Sequence, residues 1–445
     1  MDMDMKIKIG MVSLGCSKNR VDSELMLGKL KGKAQFVEDP AGADVIIVNT
    51  CGFIESAKQE SIDAILEMAE YKKTGSLKGL IVTGCLSERY KDELSGELPE
   101  VDAWLGITGY DAICEAVEKA ALGEHYENYS APAHEPDYTE RMLTTMPYTA
   151  YVKISEGCNN RCTYCAIPYI RGDLRSRRME DIKREVDYLT GELGVSEIVL
   201  VAQDTTKYGL DIYGEEKLCD LIDLLAPNEN IKWLRLLYAY PESVDERLIL
   251  TMMKYDNVVK YLDIPMQHFS DPVLKRMNRK YDYARAKQAV ETVRKLGGDD
   301  FILRTTLITG FPGETEDDFE TLKAGVRELE FDRLGVFAYS LEEGTPAASM
   351  DGQIDEEVKQ ARAQEIMRIQ ADIAQRRAQK RVGSICTALV EYPIQDGVYS
   401  ARTFAEAPEI DGVLFINSPR ELIMGEYVDV KITGVREYDL IGELI

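Results

Sequence analysis

The sequence predicts an α/β protein of several domains: an N-terminal doubly wound parallel sheet, a central partial (β/α) barrel and a C-terminal small antiparallel β-barrel. Three observations carry this. Short apolar runs alternate with helical patterns through the first third. The alternation restarts after a proline-bearing stretch. From residue 384 the rhythm changes to short alternating strands broken by Gly and Pro. At 445 residues the chain has room for about three domains of roughly 150 residues each.

Taken in order, residues 6–14, 44–50 and 80–84 read as strands. Residues 20–30 and 56–71 read as helices, with Leu25, Leu27 and Leu30, then Ile62, Ile65, Leu66, Met68 and Ala69, at helical spacing. A helix over 111–122 closes a first domain of residues 1–123. Residues 124–147, with Pro132, Pro136 and Pro147, read as a linker. In a central domain, 148–382, strands are expected at 151–155, 197–202, 233–238, 258–264, 301–309 and 334–339. Six such units make an open version of the eight-unit barrel, whose chemistry sits at the C-terminal strand ends. A long helix over 355–381 leads to a last domain, 383–445, with strands at 385–392, 398–404, 413–416 and 427–435.

With 45% hydrophobic and 29% charged residues the composition is that of an ordinary globular protein. No apolar run approaches the roughly 18–20 residues that cross a bilayer, and residues 1–5 are acidic where a signal peptide is basic. A cytoplasmic location and no membrane partner are therefore expected. The 78 acidic residues against 53 basic ones, a net charge of −25, argue against a protein built mainly to clamp nucleic acid. His125, His134 and His268 are the only histidines, too few for histidine-rich zinc sites. Nine cysteines without an export signal read as metal ligands or buried thiols.

The chemistry concentrates after the first central strand, in Glu156-Gly157-Cys158-Asn159-Asn160-Arg161-Cys162-Thr163-Tyr164-Cys165. Three thiolates at C-x3-C-x2-C can ligate three irons of one cubane cluster and leave the fourth open. A structural zinc would want a fourth ligand in a pairwise arrangement, which no nearby His or Cys supplies. Cys16, Cys51 and Cys85 look scattered, yet each follows a strand of the first domain. In a parallel sheet those ends share one edge, where ligands of such folds bind, with neighbouring strands about 4.8 Å apart. Three more thiols can converge there. Cys114, Cys219 and Cys386 sit among apolar neighbours and read as packing.

With Tyr164 before its third cysteine, the run resembles the signature of the radical S-adenosylmethionine superfamily. The resemblance implies a cluster whose electron splits the sulfonium to give a 5'-deoxyadenosyl radical. The three domains in this order resemble the methylthiotransferase family across nearly the whole chain, where the last barrel is the TRAM domain. That resemblance implies two 4Fe-4S clusters, the radical one on Cys158, Cys162 and Cys165 and an auxiliary one on Cys16, Cys51 and Cys85. It also implies S-adenosylmethionine, and an electron donor protein as partner.

The family has two branches, one acting on adenosine of transfer RNA, the other on the β-carbon of an aspartate in small-subunit ribosomal protein twelve. Residues 165–168 with Arg171-Gly172 and 175–177, then 202–209 and 405–412, look like the second. Residues 383–445 carry four basic and eleven acidic side chains, net −7. Such a barrel suits a basic ribosomal protein better than transfer RNA, so direct RNA binding is not expected to dominate. A non-enzymatic iron–sulfur or RNA-binding scaffold is the remaining alternative. Candidate cofactor contacts are Tyr164, Gln203 and Asp204, with Gly310, Pro312 and Gly313 near the adenosine by resemblance. Thr315 would cap the following helix. Arg171, Arg175, Arg177 and Arg178 form a basic run that could hold a carboxylate or be a solvated helix start. Arg376, Arg377, Lys380 and Arg381 read as a wet helix face.

Overall fold

The computed structural model describes residues 6–130 and 136–445; Met1–Met5, Pro132 and His134 lie outside the described residues. The first sheet holds β1 (Ile7–Ser13), β2 (Ala34–Phe36), β3 (Val45–Thr50), β4 (Gly79–Gly84), β5 (Ala103–Leu105) and β6 (Tyr126–Asn128). All pairings are parallel and the order is β2-β1-β3-β4-β5-β6. The strand β3 is buried along its whole length, as a parallel strand covered on both faces must be. Its Val45, Ile46, Ile47 and Val48 each contribute about 1.5–3 kcal/mol by leaving water. The order makes β1, β3 and β4 neighbours, with the switch point between β1 and β3.

Three of these strands depart from expectation. β2, β5 and β6 are three residues long, too short to show a period. β6 is the polar edge strand Tyr-Glu-Asn and lies inside the stretch read as a linker. That stretch is also bolted down further on, where the buried Arg141 pairs with Glu24 at 2.6 Å and Glu185 at 2.9 Å.

The central sheet holds β7 (Thr149–Lys153), β10 (Glu197–Val201), β11 (Trp233–Leu236), β12 (Val258–Asp263), β13 (Ile302–Thr309) and β14 (Arg333–Ala338), all parallel, in the order β14-β13-β12-β11-β10-β7. It is the open six-unit barrel that the spacing predicts. A short antiparallel pair, β8 (Ser155–Glu156) and β9 (Arg175–Ser176), brackets the cysteine loop. Outward-facing Val152, Ile198, Leu234, Leu262 and Leu303 pack under Ile182, Leu221, Ile249, Val290 and Ile373 of the surrounding helices. The inner face, with Tyr151, Val199, Tyr261 and Ile302, shares one core with Val21 and Leu25 of the first domain and Leu389, Ala405 and Ala407 of the last.

The last domain is a closed barrel of β15 (Ile385–Gln395), β16 (Val398–Thr403), β17 (Leu414–Asn417), β18 (Tyr427–Arg436) and β19 (Asp439–Leu444), ordered β15-β16-β17-β19-β18. Its antiparallel description needs correcting at one seam, because β17 and β19 pair parallel. β19, absent from the expectation, is the strand that lets the barrel close without an edge.

This barrel docks through buried ion pairs. Arg402 donates to Glu197 at 2.8 Å, and Glu197 also accepts from Arg235 at 3.1 Å. Glu406 pairs with Arg333 at 3.0 Å and Arg381 at 2.9 Å. Part of the −7 therefore faces inward against arginines rather than outward toward a partner. Arg377 and Arg381, read as part of a wet face, are instead paired, Arg377 with Asp332. Burial pushes the Glu197 and Glu406 carboxyls up, but the arginines outweigh it and hold both at about 2. Because the folded values lie below the unfolded value near 4.3, the stabilisation is complete above about pH 4.5 and is lost as pH falls toward 2. Thermal melts from about pH 7 to about pH 3 should show a loss of stability that Glu197→Gln flattens. Parallel pH profiles for the two proteins would contradict this.

Candidate functional site

The loop 158–165 leaves β8 through Gly157, whose φ is +72° and where a Cβ would lie 2.1 Å from the Asp173 carbonyl oxygen. Only glycine fits there. The loop is then pinned from several sides. Cys158 N–H donates to Gly172 O at 3.1 Å, Thr163 N–H to Met277 O at 3.1 Å and Asn278 Nδ2 to Arg161 O at 2.8 Å, while Thr163 O accepts from Ala347 N–H at 2.9 Å. Burial, then Asp204 and Cys162, push the Cys158 thiol up to about 11, with Arg279 opposing. Cys165 is raised by burial and by Cys162 and Cys158. The three thiols thus feel one another's charge. Arg279, its guanidinium carbon 4.0 and 5.0 Å from the ring centroids of Tyr240 and Tyr281, donates to Cys162 Sγ and to the Tyr164 hydroxyl, both at 3.4 Å.

The other cysteines meet at the edge that β1, β3 and β4 share. Cys16 follows β1 and precedes the helix Ser17–Leu30, Cys51 follows β3 and Cys85 follows β4. A Cβ on Gly15 would come within 3.1 Å of Cys51 Sγ. At Gly84, φ +97°, it would strike Thr50 O at 2.5 Å. Both glycines let these strand ends close up. Burial raises Cys51 to about 12, with Cys85 and Cys16 adding to it, and raises Cys85. Cys16 differs. The surrounding protein atoms desolvate it and push it up although the residue is exposed at the surface, but Lys18, Arg171 and the N–H groups of Asn19 and Lys18 outweigh that and leave it lowered, as a thiol at a helix N-terminus should be.

Between the triads lies a buried network that sequence reasoning missed. Arg171, with a side chain 1% exposed, donates to Cys85 Sγ at 3.3 Å, Glu156 at 2.9 Å, Asp22 at 3.1 Å and Asn19 Oδ1 at 3.3 Å. Lys153 pairs with the same Glu156 at 2.7 Å and also with Asp22. Burial pushes Glu156 up, and Arg171 and Lys153 overcome it to hold it well below the carboxylate range. Glu156 lies two residues before Cys158, so the network ties one cysteine loop to the other. Arg171 and Arg177 are therefore not a solvated helix start. Arg177 is buried over Tyr138 and paired with Glu185 at 2.6 Å. The missed signal was Cys16-Ser17-Lys18-Asn19, a basic and an amide residue directly after a strand-end cysteine; Asn19 Nδ2 bridges Leu14 O at 2.7 Å and Thr50 O at 3.2 Å.

The other candidates are dispersed. Asp204 is buried, accepts from Asn160 Nδ2 at 2.8 Å, and is raised by burial. Gln203 precedes it, two residues past the end of β10. Phe311 shares a small core with Tyr164. In the turn 310–313, the space beside Gly310 is taken by Lys359 and that beside Gly313 by the Arg276 guanidinium, whose Nε donates to Pro312 O at 2.8 Å. Thr315 and Asp318 form the capping box. His268 is buried, with Nδ1 accepting from Ser270 N–H at 2.9 Å. Cys114, Cys219 and Cys386 pack at the margins of three cores.

Among the described residues no three His, Cys, Asp or Glu side chains are arranged around a single metal ion. A cubane asks for something else, one thiolate on each of three irons. The donor set of each triad, three thiols beside one guanidinium, suits that group.

Comparison with known proteins follows this architecture. Three family models match in series: Uncharacterized protein family UPF0004 over residues 8–106, the Radical SAM superfamily over 152–324 and a TRAM domain over 382–445. The ribosomal protein uS12 methylthiotransferase RimO of Acetivibrio thermocellus is 51% identical over 99% of both chains. The chain belongs to the RimO family. Further RimO proteins, from Lachnoclostridium phytofermentans and Clostridioides difficile, are each 49% identical over at least 98% of both chains. The radical S-adenosylmethionine methyltransferase TsrM of Kitasatospora setae, solved with cobalamin and a [4Fe-4S] cluster, aligns with a TM-score of 0.57 at 14% identity, covering 77% of each chain, and shares the fold. As a radical SAM enzyme, a RimO protein uses a 4Fe-4S cluster and S-adenosylmethionine. No helix among the described residues is long and apolar enough to cross a membrane.

Proposed function

We propose that the protein transfers a methylthio group to the β-carbon of an aspartate in ribosomal protein uS12, working in the cytoplasm with electrons from a donor protein. One observation carries the reading: two cysteine triads, from two domains, flank one buried ion network in a chain that matches uS12 methylthiotransferases end to end.

When bound, one four-iron cluster with S-adenosylmethionine would supply radical chemistry at Cys158, Cys162 and Cys165, and a second, on Cys16, Cys51 and Cys85, the sulfur. The remaining tasks fall to this chain's own side chains. Arg279 sets a cation against Cys162 and Arg171 sets one against Cys85, favouring the more negative state of whatever the thiolates hold. Tyr164, Gln203, Asp204 and the turn 310–313 are assigned to S-adenosylmethionine. A net charge of −25 favours a basic ribosomal protein, and direct RNA binding is a minor term.

Mass spectrometry of uS12 from cells with and without the gene tests this. The methylthio increment on one uS12 aspartate should disappear on deletion. An unchanged uS12 with a lost methylthio-adenosine in the transfer RNA fraction would transfer the reading to the other branch of the family.

A further inference from the structure

Eleven lysines and arginines are buried among the described residues: Lys58, Arg141, Lys153, Arg171, Arg177, Arg235, Lys323, Lys359, Arg377 and Arg402 in addition to Lys18. Ten of them have a carboxylate within 4 Å. Lys18, 5% exposed, has none among the described residues. Its Nζ donates to Ala202 O at 3.3 Å and lies 3.8 Å from the centroid of the Tyr238 ring. A buried ammonium with no carboxylate beside it, only the Cys16 thiol on which its charge acts, is costly to keep. A site that keeps one has an anion to receive.

The position says which anion. Lys18 starts in the first domain, two residues after Cys16, and reaches the strand ends of the central barrel. Ala202 directly follows β10, and two residues on Asp204 is tied to Asn160 of the other cysteine loop. The ammonium therefore stands between the triads. Beneath it Tyr238 is held at φ +63°, strained for a non-glycine residue, its carbonyl accepting from Thr205 N–H and Oγ1, each at 3.1 Å. One residue before Lys18, Ser17 Oγ is buried and unpartnered.

We propose that the Lys18 ammonium receives the carboxylate of the substrate aspartate and so holds the adjacent β-carbon between the two cysteine triads. This rests on the aspartate reading above. It adds a positioning role that an adenine substrate, with no anionic group beside its reacting carbon, would not use. Tyr238 serves as the aromatic floor that keeps the ammonium in place.

The test uses the full-length, iron-loaded enzyme and two forms of recombinant uS12, one with the target aspartate and one with asparagine in its place. Lys18→Met should weaken binding of aspartate uS12 about 30-fold or more and change binding of asparagine uS12 by less than about twofold, and Lys18→Arg should recover most of the loss. The electron paramagnetic resonance spectra of the reduced clusters should stay in place in both variants, while the auxiliary cluster's midpoint potential falls in Lys18→Met, which removes the charge acting on Cys16, and returns in Lys18→Arg. Equal weakening of both uS12 forms would overturn the proposal. So would a shifted potential with unchanged affinity, which would make Lys18 a counter-charge for Cys16. Absence of methylthiolated uS12 with the wild-type enzyme would instead remove the substrate reading on which the proposal rests.

Discussion

Cys51→Ala is expected to halve the iron content, from about eight to about four per chain by cubane stoichiometry, and to leave 5'-deoxyadenosine formation from S-adenosylmethionine in place while methylthiolated uS12 disappears. The reason is topological. Cys51 stands at the end of β3, flanked by Cys16 and Cys85 on neighbouring strands, whereas Cys158, Cys162 and Cys165 belong to another domain and to loop contacts of their own. Cys162→Ala should have the complementary effect and abolish 5'-deoxyadenosine formation itself. Iron analysis and chromatography of the nucleoside products decide the matter. Full iron in Cys51→Ala, or 5'-deoxyadenosine formed by Cys162→Ala, would show that the two triads are not separate sites.

The second large effect is at Arg171. Arg171→Met leaves Asp22 and Glu156 with Lys153 as their one remaining cation, and leaves Cys85 without its donor. Breaking a buried ion network in this way costs about 3–5 kcal/mol, which at about 2.1 cal/mol/K of unfolding entropy per residue lowers Tm by about 3–5 °C for a chain of 445 residues. Arg171→Lys should recover only part of it, because a single ammonium cannot fork to two carboxylates, an amide and a thiol at once. A scanning calorimetry trace for Arg171→Met within about 2 °C of wild type would refute the ledger of contacts assigned to Arg171.

Much of the fold was legible in local patterns. Six barrel strands and three of the first domain's strands announce themselves because each is a run of apolar residues bounded by turn signals, long enough for a period to show. β2, β5 and β6 do not, since three residues carry no period, and β6 is polar because it is an edge. β19 was hidden for a similar reason: it begins with a charged residue directly after the turn at Glu437, where φ is +55°. Lys359 stands beside Gly310 and Arg276 beside Gly313 in the turn 310–313, and no local pattern foretells which side chain will arrive there.

By itself the sequence determined the order of three domains, the C-x3-C-x2-C loop and the placing of three further cysteines after strands, because strand ends and ligand spacing are properties of consecutive residues. Only the tertiary structure decided what surrounds those thiols. Arg171 meets Cys85 across 86 positions and Asp22 across 149, and Lys18 meets Ala202 across 184. Such pairings follow from how domains pack, and an arginine that looks solvated in its own segment becomes, once two sheets close over it, a buried cation that must find its anions.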